Sequence, residues 1–180
     1  MRRILRLPDL HADDWRSLAD LDAADAERAA AGTAGAPRGV IVPLDAYRGD
    51  PARFAAWRGP LGLGLAPTHA VEDLGPLLGR FGLVAVSFPA VGDGRGYSQG
   101  RLLRERLNFR GTLLATGAGV TREQLFLLAR CGFDAFELPA TEDPQQLRAA
   151  LARYDVAYQP GDAAVALRRL RFGAHAAAGE

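Results

Sequence analysis

The chain has 180 residues, 22 basic against 21 acidic side chains for a net charge of +1, and is 48% hydrophobic and 24% charged. These values are those of an ordinary folded domain and exclude a disordered tail or a protein that neutralises nucleic acid by bulk charge. A chain of this length buries about two-thirds of its unfolded surface, enough for one core without covalent staples.

The single cysteine, Cys131, rules out an internal disulfide, a CxxC pair, a four-thiolate zinc site and an iron–sulfur cluster within one chain. No apolar run approaches the length of a membrane span, and Met1-Arg2-Arg3 leads into Ile4-Leu5-Arg6 rather than a signal-peptide core, so a cytoplasmic protein is expected. All basic residues are arginine, which suits forked recognition of oxyanions and equally suits GC-rich codon usage. No lysine is present to form a Schiff base.

In chain order, Arg2 to Leu7 reads as a short strand and about Asp13 to Ala31 as a helix with a thin apolar stripe at Leu18 and Leu21. The stretch Gly32 to Pro37 has the composition of a linker, which divides an N-terminal strand, helix and linker (1–36) from an α/β domain (37–172) and a flexible tail (173–180). Strands are expected at Gly39–Leu44, Leu61–Ala66, Leu83–Phe88, Thr112–Thr116 and Phe133–Leu138. Helix signals fill the gaps: Asp50-Pro51 and Asp143-Pro144 as cap plus first-turn proline, Thr121 to Gln124 as a capping box, and Gly132 as a stop. A last short strand and helix are expected at Val156–Gln159 and Ala163–Arg171. Alternating strands and helices, with Leu83 to Phe88 apolar almost throughout, predict an α/β fold with a mostly parallel sheet of five or six strand–helix units. That number is too few for a complete eight-unit barrel and fits an open doubly wound sheet or an incomplete TIM-like barrel.

Parallel α/β folds bind ligands at the carboxyl ends of their strands, so the loops after Leu44, Ala66, Phe88, Thr116 and Leu138 are the places to look. The segment Pro89 to Gly100 stands out for its glycines and for the helix Arg101-Leu102-Leu103-Arg104-Glu105-Arg106 that it enters. Gly94, Gly96 and Ser98 could bring backbone amides to an anion, Arg95 and Arg101 could neutralise it, Tyr97 could donate a hydrogen bond and Asp93 could transfer a proton. The same residues also make an ordinary turn, with Asp93 and Ser98 bonded to backbone and Tyr97 packed over the loop. Gly117, in the next glycine-rich loop, could complete the pocket. Gly94, Gly96 and Gly100 form only a relaxed dinucleotide fingerprint far from its strand, so NADPH or a flavin finds no support in a motif and the cofactor stays unassigned. Glu137 and Asp93 could pair for proton transfer or for a metal. His11, His69 and His175 lack metal-ligand spacing, so no metal site is assigned; His69 reads as a surface or helix-start residue, Cys131 as a buried structural thiol, and Trp15 and Trp57 as helical core or interface residues.

The blocks Phe88-Pro89, Asp93-Gly-Arg-Gly-Tyr-Ser98, Arg101-Leu-Leu-Arg-Glu-Arg106 and Arg130-Cys-Gly-Phe-Asp-Ala-Phe136 together resemble the bacterial domain-of-unknown-function family 934, more loosely from about Val40 to Leu138. The chain departs from that family's pattern at Ala118, where members often have an acid straight after the loop glycine. The resemblance implies an oxidoreductase or accessory protein that accompanies sulfite reductase in assimilatory sulfate and sulfite reduction. It transfers no established catalytic residues, and the signature loop matches at Asp93, Gly94, Arg95, Gly96, Tyr97 and Ser98. Sulfur oxyanions agree in charge with the arginine loop. The alternative is a non-catalytic module that docks sulfite reductase or its electron donor through the N-terminal helix and the Trp15 region. No nucleic acid or membrane partner is expected, and a homo-oligomer fits an enzyme this small, although the sequence marks no interface.

Overall fold

The computed structural model describes residues 2–6 and 11–152. The expected strand and helix within 156–171 and the tail at 173–180 lie outside the described residues.

Five strands form within two residues of their expected ends: β4 (Gly39–Pro43), β5 (Leu61–Leu65), β6 (Leu83–Ser87), β7 (Thr112–Thr116) and β8 (Ala135–Pro139). The helix punctuation acts largely as read. Asp50 accepts a hydrogen bond from the Arg53 amide at 3.0 Å ahead of α3 (Pro51–Ala55), and Asp143 accepts one from the Gln145 amide at 2.9 Å at the start of α7 (Pro144–Ala152). Gly132 ends α6 (Leu125–Arg130) with φ 93°, the Gly132 amide reaching Ala129 O and the Phe133 amide reaching Leu128 O. The capping box at Thr121 does not form: the Thr121 side chain makes no cap bond, and the Gln124 amide group donates instead to Val91 O at 3.2 Å.

The N-terminal region departs from the expected long helix. Residues Arg2–Arg6 form β1, His11–Asp13 form β2 and Trp15–Ser17 form β3, and the helix α1 is confined to Ala23–Ala31. Asp22 is its cap, accepting from the Asp25 amide at 2.7 Å. Leu18 and Leu21, at helical spacing, suggest that the helix begins by about Asp13, but Trp15 to Ser17 has an edge of β4 to pair with, and that tertiary pairing overrides the local pattern. Trp15 is therefore a strand residue. Trp57 lies just beyond α3 and is buried.

The sheet order is β2-β1-β8-β7-β6-β5-β4-β3. Strands β3 through β8 are parallel and follow one another in chain order, whereas β1 runs antiparallel to both β8 and β2, so the sheet is mostly but not purely parallel. A doubly wound sheet needs a reversal of strand order, and there is none; that expectation is corrected. Successive right-handed crossovers without reversal place the intervening helices on one face. The two ends of the sheet order, β2 and β3, are separated only by Asp14. One bent segment, 11–17, thus pairs with β1 through its first half and with β4 through its second, and the sheet closes on itself.

The two faces of this ring pack separately. Outward residues Val40, Val42, Leu63, Val84, Val86, Leu113, Ala115, Phe136 and Leu138 pack with helix and loop residues such as Phe54, Leu74, Leu103 and Leu125. Inward residues Leu83, Ala85, Leu114 and Ala135 form a second cluster with Ile4, Trp15 and Ile41. Small residues fit the narrow interior. Gly39 lies against the Trp15 indole so closely that a Cβ would collide with it, and a Cβ on Gly62 would stand 3.2 Å from the same ring.

Alanine normally suits a strand better than glycine. Here Gly39→Ala should lower stability by about 1–3 kcal/mol through overpacking, and in a Trp15→Leu background the same change should become neutral or stabilising; paired urea melts of the four variants read the coupling.

Candidate functional site

The inward residues change character along the strand direction. The four residues of the inner cluster are at most 2% exposed, and the next inward position on each of β6, β7 and β8 is polar: Ser87, Thr116 and Glu137. Register holds these three side by side, since Ser87 pairs with Thr116 and Ile4, an interior residue, pairs with Glu137. The Thr116 hydroxyl donates to Glu137 Oε2, and the Gly117 amide donates to the same oxygen at 2.9 Å. All three residues are partly exposed, which marks this carboxyl end of the parallel strands as the mouth of the barrel. Sequence reasoning singled out Glu137 but matched it with Asp93; the alternation Leu83-x-Ala85-x-Ser87 and Thr112-x-Leu114-x-Thr116 was the signal for its neighbours.

The segment expected to hold an oxyanion leaves β6 at this mouth. Phe88 anchors it: its amide bonds Thr116 O and its carbonyl accepts from the Gly119 amide, both at 2.7 Å. Gly117 adopts φ 105° with its Cα against the Phe88 carbonyl, where a Cβ would stand 2.6 Å from the oxygen. Its amide is bonded to Glu137. Gly96 packs on the Phe88 ring, leaving 2.5 Å for a Cβ, and Tyr97 stacks edge-on against that ring at 5.2 Å. Burial, ahead of the neighbouring Cys131, pushes the Tyr97 phenol above its usual range. Gly94 faces open space and Ser98 is exposed.

The two arginines occupy opposite ends of α5 (Arg95–Arg101), each with its own carboxylate. Arg95 donates through Nε and Nη2 to the two oxygens of Asp93, at 2.9 and 2.7 Å, and Arg101 pairs with Glu105 at 3.1 Å. Both guanidinium side chains are more than half exposed, whereas Asp93 is 14% exposed. The Arg95 side-chain bonds hold the Asp93 carboxyl below the usual aspartate range, which makes it a poor proton donor near neutral pH and a good orienting group for Arg95. No described bond joins Asp93 to Glu137.

Two further constellations were not anticipated. At the same carboxyl end, just beyond β4 and β5, His69 Nδ1 accepts from the Ala66 amide at 3.0 Å, so its ring proton sits on Nε2, 3.1 Å from Asp45 Oδ2. Gln99, buried on α5, donates to Ala66 O and His69 O at 2.9 and 2.8 Å and so fixes that loop. At the other end of the barrel, within a π-turn at Leu102–Arg106, Arg104 donates to Gly132 O, Phe109 O, Gly111 O and Asp134 Oδ2 at 2.7 to 3.0 Å. Asp134 Oδ1 accepts from the Leu113 amide at 2.7 Å. This network ties the start of β7 to the start of β8. Cys131 is buried, which pushes its thiol up and away from reactivity. Among the described residues, no group of three or more His, Cys, Asp or Glu is placed to hold a metal ion, and no helix is long and apolar enough to cross a membrane.

Arg104→Ala should cost about 3 kcal/mol in a urea melt, the lower end for a broken buried pair because Asp134 is partly exposed, while leaving ligand binding at the mouth intact. The two aspartates should titrate in opposite directions. Desolvation raises Asp134 despite Arg104, so its contribution to stability is present at low pH and falls as pH rises through the raised value. Asp93 is lowered, so its contribution is present above the ordinary aspartate range and is lost as pH falls through the lowered value. Carboxyl NMR titration should show both, with Arg95→Ala moving Asp93 back up and leaving Asp134 in place.

No curated protein matches the chain. A family model described as bacterial protein of unknown function (DUF934) matches residues 62–167, beginning and ending later than the stretch of resemblance in the sequence. The match takes in more than half of the chain, with all but the first residue of β5, the strands β6 to β8, the Asp93–Arg101 segment and the Arg104–Asp134 pair inside it, and on that ground the protein belongs to this bacterial family of unknown function.

Proposed function

We propose that this protein is an accessory protein or oxidoreductase of assimilatory sulfate and sulfite reduction that binds a small oxyanion or anionic cofactor beside the Asp93–Arg101 segment. The observation that carries the reading is the Asp93–Arg95 pair, in which a carboxylate held by two bonds presents a mostly exposed guanidinium from the loop at the carboxyl end of β6. A guanidinium fixed in this way loses little rotamer freedom on meeting an oxyanion, and its remaining donors suit one. Arg95 is the anion-binding residue of this reading, with Asp93 as its positioning residue. Arg101, held by Glu105 at the far end of α5, would add long-range positive potential. The sulfur context comes from the sequence resemblance, and electrons would come from an external donor of the nicotinamide or flavin class.

A second reading, a non-catalytic module that docks sulfite reductase or its electron donor, is favoured by an apolar groove between α1 and α3. Ala23, Ala26, Ala30, Ala56 and Trp57 line it, with Glu27 and Arg53 at its edges. Trp15 belongs to the barrel interior and is no part of this surface.

A thermal-shift titration with sulfite, sulfate, phosphate, adenosine phosphosulfate, NADPH and flavins separates the two. A ligand that binds only the folded state stabilises it by about 2.7 kcal/mol at a hundredfold excess over Kd, and the shift should disappear in Arg95→Ala. Silence towards every ligand, together with capture of sulfite reductase that Ala26→Arg abolishes, would replace the first reading with the second.

A further inference from the structure

At the amino end of the parallel strands, away from the mouth, a groove of about 340 Å³ lies between α4 (Gly75–Leu78) and the segment 107–111 that leads into β7. We propose that this groove docks an acidic segment of a partner protein, with a carboxylate of that segment on Arg110 and a neighbouring apolar side chain against Phe81, Leu107 and Phe109. The inference is independent of the oxyanion reading, which concerns the opposite end of the strands, and the groove shares no residue with the one between α1 and α3.

The turn that builds the groove is fixed from its inner side. Asn108, at φ 53°, takes the left-handed position past the π-turn, where asparagine is tolerated, and the Phe109 amide reaches back to Leu103 O. Arg104 then holds the Phe109 and Gly111 carbonyls at 2.7 and 2.8 Å. Because the peptide unit is planar and trans, a Phe109 carbonyl turned towards Arg104 turns the Arg110 amide away from it. That amide, like the Arg110 guanidinium, has no hydrogen-bond partner among the described residues.

Charge points to the kind of occupant. Arg110 is exposed and is the one charged residue lining the groove, and neither it nor the exposed Arg106 has an ion pair among the described residues. Burial chiefly, and the like charge of Arg110 in smaller part, hold the Arg104 guanidinium below its usual range although Asp134 opposes both. A carboxylate arriving at Arg110 would relieve that repulsion.

The facing wall is bare. Gly75 and Gly79 have φ −43° and −61°, ordinary helical values; a Cβ on Gly79 would meet nothing within 4 Å, and one on Gly75 would make an ordinary contact with Leu107 at 3.8 Å. Neither backbone conformation nor packing within the chain calls for glycine there, and glycine in a helical backbone is destabilising relative to alanine. Their effect is to leave room for another chain to approach closely. The groove is open rather than enclosed, which suits a polypeptide that continues past it better than a small carboxylate. A nucleic acid would call for a row of cations and open aromatic faces, whereas Phe81 and Phe109, at 4% and 5% exposure, present too little of their rings to stack on a base.

The test is fluorescence polarisation with the full-length protein and a labelled, end-blocked peptide of glutamates around a single phenylalanine, compared with one carrying lysine for glutamate and one carrying serine for phenylalanine. Wild type should bind the first and neither of the others. Arg110→Glu replaces a charge-assisted bond with a like-charge contact and should weaken binding about tenfold or more. Gly79→Trp fills the groove without changing its charge and should weaken binding as much, which carries the test if Arg110→Glu folds poorly. Arg58→Glu is the control, because Arg58 is exposed just before β5 at the same end of the barrel, outside the groove and also without an ion pair among the described residues, and its reversal should leave binding in place. Failure of wild type to distinguish the acidic phenylalanine peptide from the other two overturns the proposal. Equal loss in Arg58→Glu and Arg110→Glu also overturns it, as attraction by diffuse charge. Tighter binding of oligothymidylate than of the peptide, undiminished in Gly79→Trp, replaces it with a nucleic-acid surface.

Discussion

Parallel strands that follow one another in chain order, with no reversal, send every crossover to the same side. The outer face of the sheet is covered as a by-product of connectivity, and the inner face has nothing to cover it except the sheet itself. This constraint shapes the rest of the molecule. The sheet must curl until its edges meet, the interior must be narrow, and the residues lining it must be small wherever a large one intrudes. The Trp15 indole against Gly39 and Gly62 is the local form of that requirement. The bent segment 11–17, bonded to β1 on one side and β4 on the other, is its global form. Closure also removes free sheet edges, which would otherwise invite pairing with another chain.

The parts legible in the sequence are those governed by near neighbours. Five apolar runs gave β4 to β8, and the cap–proline pairs at Asp50 and Asp143 marked helix starts, because each signal lies within a few residues. The N-terminal strands were misread for the opposite reason. Three residues such as Trp15 to Ser17 are too few to display a period, and what makes them a strand is a partner more than twenty residues away. Ring closure is invisible to local reading for the same cause. At the site, strand-end position pointed to Glu137, but only register could reveal that its partner is Thr116 on the adjacent strand rather than Asp93 in a loop.

The structure divides the residues of the family's signature blocks between two tasks. Gly96 packs against Phe88, Gly100 against Phe133 and Gly132 against Arg104, and these are fitting requirements of the backbone. Arg104, in the middle of the basic helix, spends its donors on three carbonyls and Asp134, so a residue that looks like part of a cationic patch is in fact a brace for the barrel floor. Of the exposed basic residues in these blocks, Arg95 lies in the loop that leaves the mouth, oriented by Asp93. Architecture and chemistry thus occupy opposite ends of the strands, the floor stiffened by a part-buried ion pair and the mouth left polar and accessible.

Closure of the ring also sets the order in which the protein can be made. Of the described strands, β1 is the first to leave the ribosome and β8, with which Ile4 pairs through Glu137, is the last. Until then β1 lacks one neighbour and the interior face of every completed strand is open to solvent. A chain whose decisive contact joins its first and last described strands has high contact order, and such chains fold slowly because loop entropy is lost before the contact repays it. The growing chain is therefore a curved sheet with two sticky edges for most of its synthesis, and its dependence on chaperones should be greatest in the interval before β8 emerges.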